Sequence, residues 1–285
     1  MFEDHVHDYP GFPLNTSKQW KRLTPRLGLD WKPNAALMLY ASWAKGYKVG
    51  NVEGARSSDA ATAGHWLGPE IATTWEAGIK AGALGGRLQA NLDAFTSLNT
   101  GRTDLINPDR VASSTVKSKG IEAEATLAMT PDLRLHAALG LLWAKYRDLS
   151  ANHPALVPDP SGYAPRYSAE PPMSPRYTLS ADAHYRTSLA ASGTIVADAA
   201  VLAVGKHFHP LGINNYDSEI VRPYAMVDAS AGWISADDRI RVTVGAHNLL
   251  DRLYWTSGMF GTIPEFAGRY YADRRRFYVE LCYGL

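Results

Sequence analysis

Two His-x-His pairs carry the residue types of a metal site: His5/His7 in DHVHDYP and His207/His209 in GKHFHP. On a strand this spacing puts both imidazoles on one face, an arrangement that suits a transition metal. Neither stretch offers a third ligand nearby, so both pairs read as polar residues near strand ends. Glu122 and Glu124 are paired carboxylates, the equipment of acid–base chemistry. Two apart on a strand, they read better as wall charges facing Arg or Lys on neighbouring strands. A serine hydrolase is the enzymatic alternative, but no GxSxG occurs. Cys282 is the single cysteine, which excludes an internal disulfide and a CxxC metal knuckle. No enzyme and no cofactor is expected.

Binding chemistry is concentrated elsewhere. Five stretches, roughly 46–71, 99–113, 149–174, 206–223 and 251–273, are rich in Gly, Pro, Asn and aromatic residues. Trp66, Phe208, Tyr216, Trp255, Phe260 and Phe266 could grip a planar chelate, with His207 and His209 beside them. Arg269, Arg274, Arg275 and Arg276 could meet an anionic ligand. The chain's net charge is only +1, and its longest basic run is Arg274–Arg276, so nucleic acid is not an expected partner.

The segments that must hold these loops share a period of two. Leu88, Leu92, Leu135, Leu139, Val242 and Leu281 fall on one face of their segments. Glu122, Glu124, Arg134, Asp182, Arg241 and Glu280 fall on the opposite face. The pattern predicts about eleven antiparallel strands near the 9–11 residues a tilted membrane-crossing strand needs. Globular strands are shorter, at about five or six residues. Short connections at 33–36, 84–86, 129–132, around 187–193 and 236–238 alternate with the five long ones. Tight turns at one end and long loops at the other are the asymmetry of an outer-membrane barrel. Trp31, Trp43, Trp75, Trp143, Trp233 and Tyr283 lie near strand ends, as interfacial girdles do. The first residues, MFEDHVHDYPGFPLN, lack the basic and apolar regions of a signal peptide.

Four motifs, in order, resemble the C-terminal half of a TonB-dependent outer-membrane receptor barrel. They are TPRLGLDWKPNAALMLYASWAKGYK, GPEIATTWEAGIKAGALGGRLQANLDAF, KSKGIEAEATLAMTPDLRLHAAL and NLLDRLYW. The resemblance implies an all-β, antiparallel transmembrane portion, half of a barrel of about 22 strands. It would stay open unless another segment completes it. Residues 1–21 are expected to form an irregular outer lead-in and 22–285 the barrel region. The implied location is the outer membrane, among its lipids. The implied partners are an N-terminal plug with the other barrel half, the TonB energising complex acting through that plug, and a ferric siderophore or similar metal chelate. A plug-free diffusion porin is the alternative, and an outer-membrane enzyme a weaker one. The plug and TonB box are not seen in this sequence, and Leu285 stands where the family usually ends in an aromatic.

Overall fold

The computed structural model describes residues 4–6, 17–53, 65–107, 110–149, 170–209, 220–260 and 267–284. A short pair, β1 (Asp4–Val6) and β2 (Ser17–Gln19), comes first. The wall then begins with β3 (Arg26–Asn34) and β4 (Leu37–Lys48), followed by the small pair β5 (Asn51–Glu53) and β6 (His65–Leu67). Three long strands continue it: β7 (Glu70–Ala83), β8 (Leu88–Asn107) and β9 (Arg110–Ala128). β10 (Leu133–Leu149), β11 (Tyr177–Ser188) and β12 (Thr194–Val204) come next. The pair β13 (His207–Phe208) and β14 (Ile220–Val221) precedes β15 (Tyr224–Ile234) and β16 (Ile240–His247). A last pair, β17 (Trp255–Phe260) and β18 (Ala267–Tyr271), leads to β19 (Arg276–Tyr283).

Eleven of these strands form one sheet in the order β19-β16-β15-β12-β11-β10-β9-β8-β7-β4-β3, each antiparallel to its neighbour. Its ends, β3 and β19, do not pair with each other, so the sheet is an open wall. The expected eleven strands are present. Because neighbours run antiparallel, the tight turns all lie at one end and the loop hairpins at the other. The turns are held by short polar side chains. Asn34 Oδ1 accepts the Ala36 N–H at 2.9 Å, and Thr130 Oγ1 accepts those of Asp132 and Leu133. Ser235 Oγ accepts the Ile240 N–H at 2.9 Å and donates to Asp237 Oδ1. The Ser235 hydroxyl, and after it the Arg239 N–H, lower the carboxyl pKa of Asp237.

The region 99–113 departs from its expectation as a loop. β8 and β9 stay paired to Asn107 and Arg110, through two bulges. Thr100, Arg102, Thr103, Ser113 and Ser114 continue the ladder there, with Leu105 opposite Val111 as its apolar pair and no long apolar stripe. A strand pair in water needs no continuous apolar stripe.

The two faces of the wall separate as the period of two requires. Leu92, Leu139 and Val244 are exposed on the apolar face, which in a barrel wall is the outer, convex side, and Val279 on the edge strand is 73 % exposed. Left in water, each such side chain forgoes part of the about 1.5–3 kcal/mol that full burial would bring. On the concave side three aromatics lie over glycines of the next strand. A Cβ on Gly78, Gly120 or Gly245 would come within 2.6 Å of the rings of Tyr40, Phe95 and Tyr278. The missing side chain is what lets the ring lie flat against the wall. Most of the buried side chains, including Val116, Tyr146, Phe208 and Trp255, sit toward the loop end.

Candidate functional site at the loop end

The expected binding residues divide into two clusters. In the first, Trp66 on β6 meets Trp20 edge-on, with centroids 5.1 Å apart and planes at 70°. Lys18 lies over the Trp20 ring at 5.6 Å. The Trp20 ring presses on the backbone of Gly50, where a Cβ would come within 2.6 Å. Trp20 was not among the expected residues; it lies 46 positions before Trp66, and no local pattern links the two.

In the second cluster His209 stacks on Trp255 at 5.2 Å, and the Arg269 guanidinium lies over the same indole at 5.3 Å. The two small pairs β13–β14 and β17–β18 bring these three residues together from separate loops. His207 and His209 are both buried; His207 Nδ1 lies 3.0 Å from the Gly205 carbonyl oxygen. Burial, with His207 adding to it, lowers the pKa of His209 and favours its neutral form. Trp255 is only 7 % exposed, so this cluster presents Arg269 and its neighbours Tyr270 and Tyr271 to solvent and keeps the indole inside. Phe260 pairs with Ala267 at the tip of its hairpin. Tyr216, Phe266 and His7 lie outside the described residues. Among the described residues, no group of three or more His, Cys, Asp or Glu is placed to hold a metal ion.

The basic run has structural partners of its own. Asp251 Oδ1 and Oδ2 accept the Arg274 Nε and Nη2 hydrogens at 2.8 and 2.6 Å, and Oδ1 also accepts the Arg275 N–H at 3.0 Å. Those bonds hold the Asp251 carboxyl down at about 2 and raise the Arg274 pKa. Arg276 pairs with Asp273 at 3.1 Å, and Arg275 packs over Phe277. Asn248, 5 % exposed, donates from Nδ2 to the Arg252 and Asp273 carbonyls and accepts the Arg252 N–H at 2.8 Å. Both Asn248 and Asp251 adopt positive φ, 49° and 51°, which Asn and Asp tolerate better than most residues. The NLLD segment is therefore a clamp joining the end of β16 to the start of β19.

On the concave wall, His136 bridges Glu124 at 3.2 Å and Asp182 at 3.1 Å. His184 meets Asp198 at 2.5 Å, and His247 meets Asp228 at 3.2 Å. Glu124 thus pairs with a histidine where Arg or Lys was expected. These half-exposed pairs lie on the polar face of the wall and present no nucleophile with a base.

Residues 2–249 match the family model described as TonB dependent receptor-like, beta-barrel. Solved structures share the fold. The ferric yersiniabactin uptake receptor FyuA from Yersinia pestis matches with a TM-score of 0.75 at 17 % identity, over 94 % of this chain and 38 % of that one. FpvA of Pseudomonas aeruginosa, bound to a heterologous pyoverdine, matches at 0.68 and 20 %, over 95 % and 34 %. BauA, the ferric preacinetobactin receptor from Acinetobacter baumannii, matches at 0.67 and 19 %, over 95 % and 38 %. The chain spans little more than a third of the length of these receptors. With the open eleven-strand wall and its two-faced strands, the match over 2–249 places the chain in the TonB-dependent receptor β-barrel family.

Proposed function

We propose that this chain forms barrel wall and outer binding surface in an outer-membrane receptor for energised uptake of a scarce solute, most simply a ferric siderophore. The observation that carries this reading is the apolar convex face set against a polar concave one, in a chain of this family. The named specificities of the structural neighbours, ferric yersiniabactin, pyoverdine and ferric preacinetobactin, support the substrate class. Transport in this reading needs a plug and the rest of the barrel, with TonB acting through the plug. Residues 22–285 are assigned to the wall and its loops, and 1–21 to a lead-in. Trp66, Tyr216, Phe260, Arg269 and the His207–His209–Trp255 cluster form the proposed ligand surface. The half-exposed Trp66 and exposed Arg269 touch the chelate, while buried Trp255 and His209 hold Arg269 in place.

The test is uptake of radiolabelled iron–siderophore complexes. It uses cells lacking their own receptors that carry this chain together with a plug and complementary barrel half. Uptake that stops when the proton gradient is collapsed supports the reading. Gradient-independent entry of small solutes would make the wall a diffusion pore. Uptake unchanged by Arg269→Ala would remove that residue from the ligand surface.

A further inference from the structure

Every histidine on the eleven wall strands meets a carboxylate of a neighbouring strand on the polar face. His136 on β10 reaches Glu124 on β9 through Nε2 and Asp182 on β11 through Nδ1. His184 on β11 reaches Asp198 on β12, and His247 on β16 reaches Asp228 on β15. Strand pairing makes these contacts one band. His136, Asp182, Ala200 and Asp228 are directly opposite one another across β10, β11, β12 and β15. The adjoining row on that face is Arg134, His184, Asp198 and Ser230, and Ser230 Oγ donates to Asp198 Oδ2 at 3.5 Å. His136 is the fourth residue of β10 from the tight turn, whereas His247 is the last of β16, at the loop end. The band therefore crosses the wall obliquely and ends at the NLLD clamp, where Asp228 Oδ1 accepts the Asn248 N–H at 2.8 Å.

Imidazole is the side chain whose ordinary charge change falls near neutrality. Beyond Glu124 and Asp182, the charged groups that face His136 are Arg134 and His184 in the adjoining row and Glu122 farther along β9. His184 lies opposite Arg134, with Asp182 and Arg186 two residues away on its own strand. His247 lies opposite Arg276, which Asp273 already holds, and stacks on Tyr278 at 5.1 Å. Among the described residues, Arg134 and Arg186 form no ion pair. Imidazoles, not fixed cations, therefore contact Glu124, Asp182, Asp198 and Asp228. A protonated ring holds its carboxylate by charge as well as by a hydrogen bond. A neutral ring keeps the hydrogen bond alone, and the carboxylates on either side of His136 then face each other across it.

We propose that this band is a proton-operated seam: protonation of His136, His184 and His247 tightens the pairings from β9 to β12 and from β15 to β16, and deprotonation loosens them and turns the polar face anionic. The sign is opposite to that of His209, whose buried ring favours the neutral form. The seam belongs to the wall and does not depend on which solute the protein handles.

The test is hydrogen exchange of residues 1–285 in a non-ionic detergent at pH 6 and pH 8, corrected for the base rate. One exposed charge pair shifts a local opening equilibrium by about threefold. Opening β11 breaks the pairs of both His136 and His184, so its amides should be about tenfold better protected at pH 6. The amides of β4, a strand without histidine, are the reference and should not change. His136→Gln with His184→Gln should erase the β11 step, and so should Asp182→Asn with Asp198→Asn. His136→Lys with His184→Lys makes the charge permanent and should keep β11 protected at both pH values. A β11 step no larger than that of β4, or one that survives the glutamine or the asparagine pair, would overturn the seam. A lysine pair no better protected at pH 8 than the parent would overturn it as well.

Discussion

The Asp251 carboxylate grips the Arg274 guanidinium through two hydrogen bonds, 2.8 Å from Nε and 2.6 Å from Nη2, and so ties the exit of β16 to the entry of β19. Its carboxyl titrates at about 2 in the folded chain against an ordinary 3.8. The contribution to stability is therefore complete above about pH 4 and lost as pH falls through about 2. Hydrogen exchange at the Arg275 amide should accelerate relative to base rate across that window. Asp251→Asn should exchange faster throughout and show no such step.

The second prediction concerns His209. Its folded pKa lies below 6.5, so the unfolded chain takes up the proton first on acidification. Stability from this group is complete above pH 6.5 and falls as pH drops toward the folded value. Trp255, stacked on His209, should report the loosening as a change in fluorescence. His209→Gln should flatten that pH dependence.

Aromatic–glycine contacts give a third. Gly245→Val would drive a Cβ to within 2.4 Å of the Tyr278 ring. Overpacking of this kind costs about 1–3 kcal/mol. Adding Tyr278→Ala should recover part of that loss in denaturant titrations, because the two residues are in contact. Additive losses would mean that the ring and the glycine do not meet.

A fourth sets the two faces against each other. Leu139→Arg on the convex side should destabilise the wall in lipid or detergent by about 2–4 kcal/mol, the cost of an arginine facing mid-bilayer hydrocarbon. Ser180→Arg, paired with Ala138 on the concave side, should cost much less. Urea unfolding of the two variants in the same detergent measures the difference.

The wall itself was legible because lipid and lumen impose opposite chemistry on alternate residues, and Leu88, Leu92 and Leu139 record that alternation. The NLLDRLYW motif was legible as a family-like stretch, and in the fold its Asn and Asp satisfy backbone groups where the β16 ladder ends. Its grip on Arg274 was not: Asp251 and Arg274 are 23 positions apart, and the pairing depends on where β17 and β18 return the chain. The loop-end hairpin of β8 and β9 was hidden for a different reason. Outside hydrocarbon, Thr100, Arg102 and Ser114 can pair without an apolar stripe. The stack of His209, Trp255 and Arg269 depends on two loops meeting, which no local spacing encodes.

The central claim is that the convex face meets hydrocarbon while the concave face lines a polar lumen. With Cys282 replaced by serine, single cysteines along β10 from Leu135 to Leu141 would each carry a fluorophore, in chain solubilised by a brominated detergent. Leu135, Ala137, Leu139 and Leu141 should be strongly quenched and His136, Ala138 and Gly140 weakly, a strict alternation along the strand. Uniform quenching along β10, or a monodisperse monomer that folds in water without detergent, would contradict the account.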